Sequence, residues 1–418
     1  MIKNSLKLFG KVVLFVLLFS SLSKAQTFVF LKFSPQNTKV SKVILENGTL
    51  NGRLIFKKLR INKPFKEYFL GSTTGELRLN LRVSSIFPKT NLTFPINLSC
   101  KLNNTNSLVI GYLIFYLKNG KLNVNLKCTS PAGFKGFNLI LGRDEDHKVI
   151  WVIDKNKDAV VFVKPLNFEP LEIKKSSSGS IYVLGSRRLI LIDPHNLEVE
   201  SVIPIPALES ATYFTLEKGN ILVLSSFDKK LILIDGTDGS LLVQKWLNLT
   251  PIKSFFDPNS NEVFVLTKEG SVLVYDLNLN LISNFKLSGY PVALTRDDEK
   301  LYVGDSLGWI SIYDVNNFEL IRKLKVCNEV EDLKKLNQDT VLVLCKKGTL
   351  VFLNTNNDLL FQRVHYPYDF CSFVVDGTSG DVYISTFNKK VLVIDSLGTQ
   401  KKAEIPVGGV INEMVSLP

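Results

Sequence analysis

A five-residue strand-like motif recurs seven times at nearly constant spacing, and this recurrence limits what the chain can fold into more than any other feature. It reads IWVID at 150, IYVLG at 181, ILVLS at 221, VFVLT at 263, LYVGD at 301, VLVLC at 341 and VYIST at 382. The steps are 31, 40, 42, 38, 40 and 41 residues. A helical repeat of that length would place apolar residues every 3.6 positions, and no ten-residue stretch here does so. A period near forty built from short strands predicts one small sheet per repeat, with the sheets closed into a ring.

The strands are apolar on both faces, as in LILID and VLVID, which is the pattern of sheets packed on neighbours from two sides. The second strand of each repeat ends on a common position: Asp193, Asp235, Asp276, Asp314 and Asp395, with Asn354 and Lys164 departing. An Asp or Asn there accepts hydrogen bonds from backbone N–H groups two or three residues on and so starts a tight turn. From Phe137 to Leu417 about twenty-eight strands are expected, seven sheets of four. The first repeat is about ten residues short. The tail INEMVSL supplies an extra strand that can pair into the first sheet and leave no open edge.

The segments IYVLG...LILID, LYVGDS...ISIYDVNNFELIRKLKV and VYISTFNKKVLVIDSLGTQKKAEIPVGG resemble the YVTN-type repeats of bacterial surface and periplasmic β-propellers, within the wider quinoprotein-like and WD40-like group. The resemblance spans about residues 137–418 and implies an architecture, not a reaction. Quinone-dependent dehydrogenases of related fold are similar in LILIDGTDGSLLVQKW, but those that hold the cofactor have adjacent cysteines, and no adjacent pair occurs here. No cofactor is therefore expected.

Ahead of the repeats the chain has a different character. Residues 1–25 read as a secretory signal peptide: Lys3, Lys7 and Lys11, an apolar run from Val12 to Phe19, then Ser23-Lys24-Ala25. The remainder is expected to be exported, with no transmembrane segment after cleavage and its place either the periplasm or the cell surface. Residues 26–130 form a basic β-sandwich-like domain of about seven strands, residues 131–136 a linker, and residues 137–418 a seven-bladed β-propeller, so the expected fold class is all-β. Charge separates the two domains. Residues 26–135 hold 17 Lys/Arg against Glu46, Glu67 and Glu76, whereas residues 136–418 hold 30 Lys/Arg against 36 Asp/Glu. Lys57, Lys58, Arg60, Lys63 and Lys66 put five cations in ten residues, and Arg78 and Arg82 share one face of a strand. Such a surface suits an anionic partner: lipid headgroups, acidic polysaccharide, DNA or an acidic protein.

Five cysteines form no CxxC and no adjacent pair, which removes support for haem attachment, zinc knuckles and redox dithiols. Cys100 and Cys128 flank a hairpin-like stretch, and Cys327 and Cys345 belong to adjacent antiparallel strands, so each pair is a candidate disulfide, with Cys371 as a competitor. Histidines lie in three repeats, at 147, 195 and 365, and the first two read as turn residues. His365 with Tyr366, Tyr368 and Asp369 stands just before an inner strand, where the four side chains would line the central channel as a candidate binding surface. No acid–base set, metal motif or phosphate loop accompanies them. The expected function is an exported, non-enzymatic scaffold for an envelope protein or glycan. The alternative is a propeller enzyme, a quinoprotein-like dehydrogenase or lyase, working at the channel mouth.

Overall fold

The computed structural model describes residues 27–35, 42–62, 67–73, 77–87, 94–100, 108–118, 121–129 and 138–418, except 177, 178, 218, 258, 259 and 288. The expected signal peptide and linker, Lys63 and Lys66 lie outside these residues, as do the side chains of Cys100 and Cys128. The chain divides into two compact units, residues 1–131 and 132–418. Among the described residues the structure is all-β, with one 3-10 turn at Lys346–Gly348. Among the described residues no helix is long and apolar enough to cross a membrane.

Among the described residues the first unit contains two four-stranded sheets. One has the order Glu67–Thr73, Thr27–Pro35, Leu108–Lys118, Lys121–Thr129, with its middle pair parallel. The other runs Arg53–Asn62, Lys42–Leu50, Leu77–Phe87, Phe94–Cys100. In the second sheet Leu45 and Leu79 are fully buried, and the residues beside them in sequence point outward. Glu46 is flanked by Lys58 on one side and Arg82 on the other, so alternation puts Lys58, Arg60, Arg78 and Arg82 on one exposed face.

Residues 138–418 form seven four-stranded antiparallel sheets. Sheets 2 to 7 are each built from four consecutive strands, beginning at Glu172–Lys175, Tyr213–Glu217, Pro251–Asp257, Pro291–Arg296, Val330–Asn337 and Phe370–Val375. Sheet 1 takes Leu139–Asp144, Val149–Asp154 and Ala159–Pro165, and is completed by Glu413–Ser416 from the end of the chain, which pairs antiparallel with Leu139–Asp144. The seven innermost strands touch in order, and that of sheet 7 touches Glu413–Ser416, so the ring closes. Closure pairs the edge that sheet 1 would otherwise leave open.

This pairing corrects the alignment of the first repeat. IWVID is the third strand of sheet 1, not the second. The counterpart of Ile181 is Ile140, 41 positions earlier, so the first repeat is not short. Its turn begins at Asp154, whose Oδ1 accepts the N–H of Asn156 at 2.9 Å, and Lys164 drops out of the series. The same Asx geometry holds at Asp193, Asp235, Asp276, Asp314 and Asn354, whereas Asp395 accepts instead from the N–H of Thr399, four residues on.

Strand direction alternates, so turns between second and third strands open on one face of the ring together with the connections between sheets. We call this the front; turns between first and second and between third and fourth strands open on the back. Apolar strands pack sheet against sheet, as where Leu342, Phe352, Phe370 and Ile384 meet between sheets 6 and 7. At the closing seam Lys155 reaches Asp376 at 2.6 Å, both nearly buried, and Asp376 also accepts from Ser416 at 3.0 Å.

Candidate functional site

The innermost strands alternate, and every second side chain faces the ring axis. Those side chains surround a cavity of about 380 Å³ in the front half of the ring, to which all seven sheets contribute. A second cavity of about 640 Å³ lies toward the back, and Lys174, Lys334 and Glu413 border both. The axis is thus a channel with a charged waist.

Four cations and four acids line the front cavity: Arg143, Lys174, Lys253 and Lys334 with Glu172, Glu331, Asp332 and Glu413. Burial, and then the negative charge of Glu413, push Glu172 up to about 8. Burial would also raise Glu413, but Lys174 and a hydrogen bond with Glu172 hold it below its ordinary value. The pair therefore holds one proton at neutral pH, on Glu172. Lys174 donates to Glu172 at 3.2 Å and to Tyr213 Oη at 2.9 Å, and stands 3.8 Å from Glu413. Burial opposes its charge, and these neighbours overcome that cost and raise it. Lys253 is 3.7 Å from Asp332, beyond hydrogen-bond distance, and Lys334 is 3.3 Å from the same carboxylate. Arg143 donates to the Pro170 carbonyl at 3.0 Å, while its Nε, 3.7 Å from Glu413, has no hydrogen-bond acceptor. Burial pushes the nearby Cys371 thiol up to about 11, so it is protonated and unreactive.

None of the four residues expected in the channel is there. His365 ends Leu359–His365, the outermost strand of sheet 6, and its Nδ1 is 3.3 Å from Thr349 Oγ1. Tyr366 packs between sheets 6 and 7 and donates to the Gly398 carbonyl at 3.1 Å. Tyr368 Oη bonds Glu404 at 2.8 Å, and the Asp369 carbonyl caps Phe387. The physical reason is chain direction: these residues form the connection arriving from an outer strand, and the channel begins only at Cys371. Cys327 and Cys345 are disulfide-bonded with a Cα–Cα distance of 6.4 Å, although Cys327 sits in the connection before its strand. Cys371 is free. Lys57, Lys58 and Arg60 are exposed on Arg53–Asn62, an edge strand.

The channel residues have a sequence signal that per-repeat motif matching passes over: charged residues inside otherwise strand-like inner segments, as with Glu172 and Lys174 in EIKK, Glu331, Asp332 and Lys334 in VEDLKKLN and Glu413 in EMVS. Many exposed apolar side chains lie on outer strands, as Trp246 and Phe361 do, and Leu397 is at a back turn, but four others share the front. Phe227, Tyr290, Leu307 and Phe387, between 51% and 72% exposed, all belong to front turns or connections.

No protein-family model matches the sequence, and no curated protein matches it. Solved structures do. The β-propeller domain of Cps50 (Swd1) from Myceliophteria thermophila aligns with a TM-score of 0.50 at 13% identity, over 57% of this chain and 86% of that one. The fold is a β-propeller. A functionally unknown protein from Desulfotomaculum acetoxidans reaches a TM-score of 0.58 at 13% identity, covering 67% of this chain and 99% of that one. The dihydro-heme d1 dehydrogenase NirN reaches 0.53 at 12% identity over 69% and 77%. Identities this low relate the propeller to these proteins in fold alone.

Proposed function

We propose that the chain is an exported, non-enzymatic recognition scaffold: a seven-bladed propeller of the YVTN type that binds an envelope protein or glycan on its front face, joined to a basic β-sandwich that docks an anionic surface. The observation that carries this reading is the concentration of Phe227, Tyr290, Leu307 and Phe387 on one face, where a soluble ring has no packing use for them. Turns held by packed sheets lose little conformational entropy on binding, which makes such a face efficient at recognition. The cations Lys58, Arg60, Arg78 and Arg82 on one sheet face give the first unit its anionic preference.

The test compares the purified chain with a variant carrying Phe227→Ser, Tyr290→Ser, Leu307→Ser and Phe387→Ser. An envelope component retained by the former and lost from the latter supports the reading; equal retention, or a stoichiometric bound quinone or other chromophore, overturns it. Retention on anionic vesicles that weakens steeply with salt, and is lost on Lys58→Ser/Arg60→Ser/Arg82→Ser, tests the basic face.

A second reading, an enzyme at the channel mouth of the quinoprotein-like dehydrogenase or lyase kind, is favoured by one observation: the proton held between Glu172 and Glu413 beside Lys174 and Tyr213. Paired groups with displaced proton affinities are what acid–base chemistry uses.

A further inference from the structure

We propose that the front cavity of the channel binds a small hydroxy acid of sugar-acid size, its carboxylate held by Arg143, Lys174 and Lys253 and its hydroxyls by Glu331 and Asp332. The starting point is a set of donors that the protein does not use. Arg143 is 9% exposed, lines the cavity, and leaves Nε without a hydrogen-bond acceptor. A buried guanidinium N–H in that state is costly unless something accepts from it. Lys253 Nζ stops 3.7 Å short of Asp332, and Lys174 spends donors on Glu172 and Tyr213 while standing 3.8 Å from Glu413. Each ammonium carries three N–H groups, so both have capacity to spare. The three cations come from the second strand of sheet 1 and the inner strands of sheets 2 and 4, and Lys253 and Lys174 are close enough for their charges to oppose one another.

Charge decides the class of ligand. With the Glu172–Glu413 pair holding one proton, the four cations face three carboxylates, and the cavity carries an excess of one positive charge. A single anion neutralises that excess. A dianion would overshoot it. Glu331 and Asp332 on sheet 6 lie along the same cavity and accept hydrogen bonds, which suits hydroxyl groups on the body of the ligand. Phe255, Leu266 and Leu294 form an apolar wall for its C–H face. A volume of about 380 Å³ falls at the small end of the range for small-molecule sites, roughly 300–1,000 Å³.

The test is calorimetric titration and thermal shift of the full chain with gluconate and glucuronate, using sorbitol and inorganic sulfate as controls. The expected result is one-to-one binding of a sugar acid with a raised melting temperature, and little response to sorbitol or sulfate. Lys253→Met should weaken binding at least tenfold while leaving the fold intact, because Asp332 keeps Lys334 at 3.3 Å; Lys253→Arg should restore most of it. Sulfate and sorbitol acting as well as the sugar acids, no binding by either acid, or Lys253→Met binding like the natural chain would each overturn the proposal. The front-face serine variant should bind sugar acid unchanged, so failure here and failure of the scaffold reading are separable.

Discussion

His147 Nδ1 lies 2.8 Å from Asp144 Oδ2, and that same fully buried carboxylate oxygen accepts the indole N–H of Trp151 at 2.9 Å. The hydrogen bond to Asp144 holds the imidazole above its ordinary value of 6.5. A raised folded-state value means that the native chain binds the proton more tightly than the unfolded one. The resulting stabilisation is complete below pH 6.5 and is lost as pH rises through the folded value. Glu172 acts in the same direction between its ordinary 4.5 and about 8. Melting temperatures measured from pH 5 to 9 are expected to decline, and His147→Gln should flatten part of that slope; an unchanged slope would show that Asp144 does not hold the proton on His147.

The seam between sheets 7 and 1 should be the weak point of the ring. Replacing Lys155 by Met leaves Asp376 buried without its cation, which costs about 3–5 kcal/mol and is read by denaturant titration. Burial works against the Asp376 charge, but hydrogen bonds from Lys155, Ser379 and Ser416 outweigh it and hold the carboxyl down to about 2. Its stabilisation is therefore present above the ordinary carboxylate value of 3.8 and lost as pH falls toward 2, a loss that Asp376→Asn should abolish along with the stability itself.

Reducing the Cys327–Cys345 bond reopens a loop spanning a sequence separation of 18. Loop-closure entropy of that size is worth about 3 kcal/mol. The double variant Cys327→Ala/Cys345→Ala should lose roughly that much stability, and reductant should have no further effect on it. A reductant-sensitive double variant would point to another disulfide.

Lys229 is exposed and has φ 49° at a front turn of sheet 3 where Gly270 and Gly308 stand in sheets 4 and 5. In all three turns the residue's carbonyl accepts from the residue after the outer strand. A left-handed backbone disfavours a side chain by about 1 kcal/mol, so Lys229→Gly should raise the melting temperature. A fall would show that the Lys229 side chain contributes more than its backbone costs.

What was legible in the sequence was local. An Asp that closes an Asx turn and an apolar strand with two packed faces carry their structural reason within a few residues, so the sheets, their number of strands and their turns follow from the repeat. The register error at IWVID has a physical source: second and third strands of a sheet are buried alike, as the patterns of Leu139–Asp144 and Val149–Asp154 show, and burial alone does not tell them apart. The channel was not legible for the opposite reason. Glu172 and Glu413 become neighbours only because the last strand completes the first sheet, and Lys253 reaches Asp332 across two sheet boundaries. Six adjacent letters, VHYPYD, looked more like a site than charges spaced forty residues apart.

Borrowing the Glu413–Ser416 strand imposes a schedule on biogenesis. Sheet 1 is begun with residue 139 and cannot be finished until residue 416 has left the ribosome, so the ring of a nascent chain stays unlocked while the six intervening sheets are made.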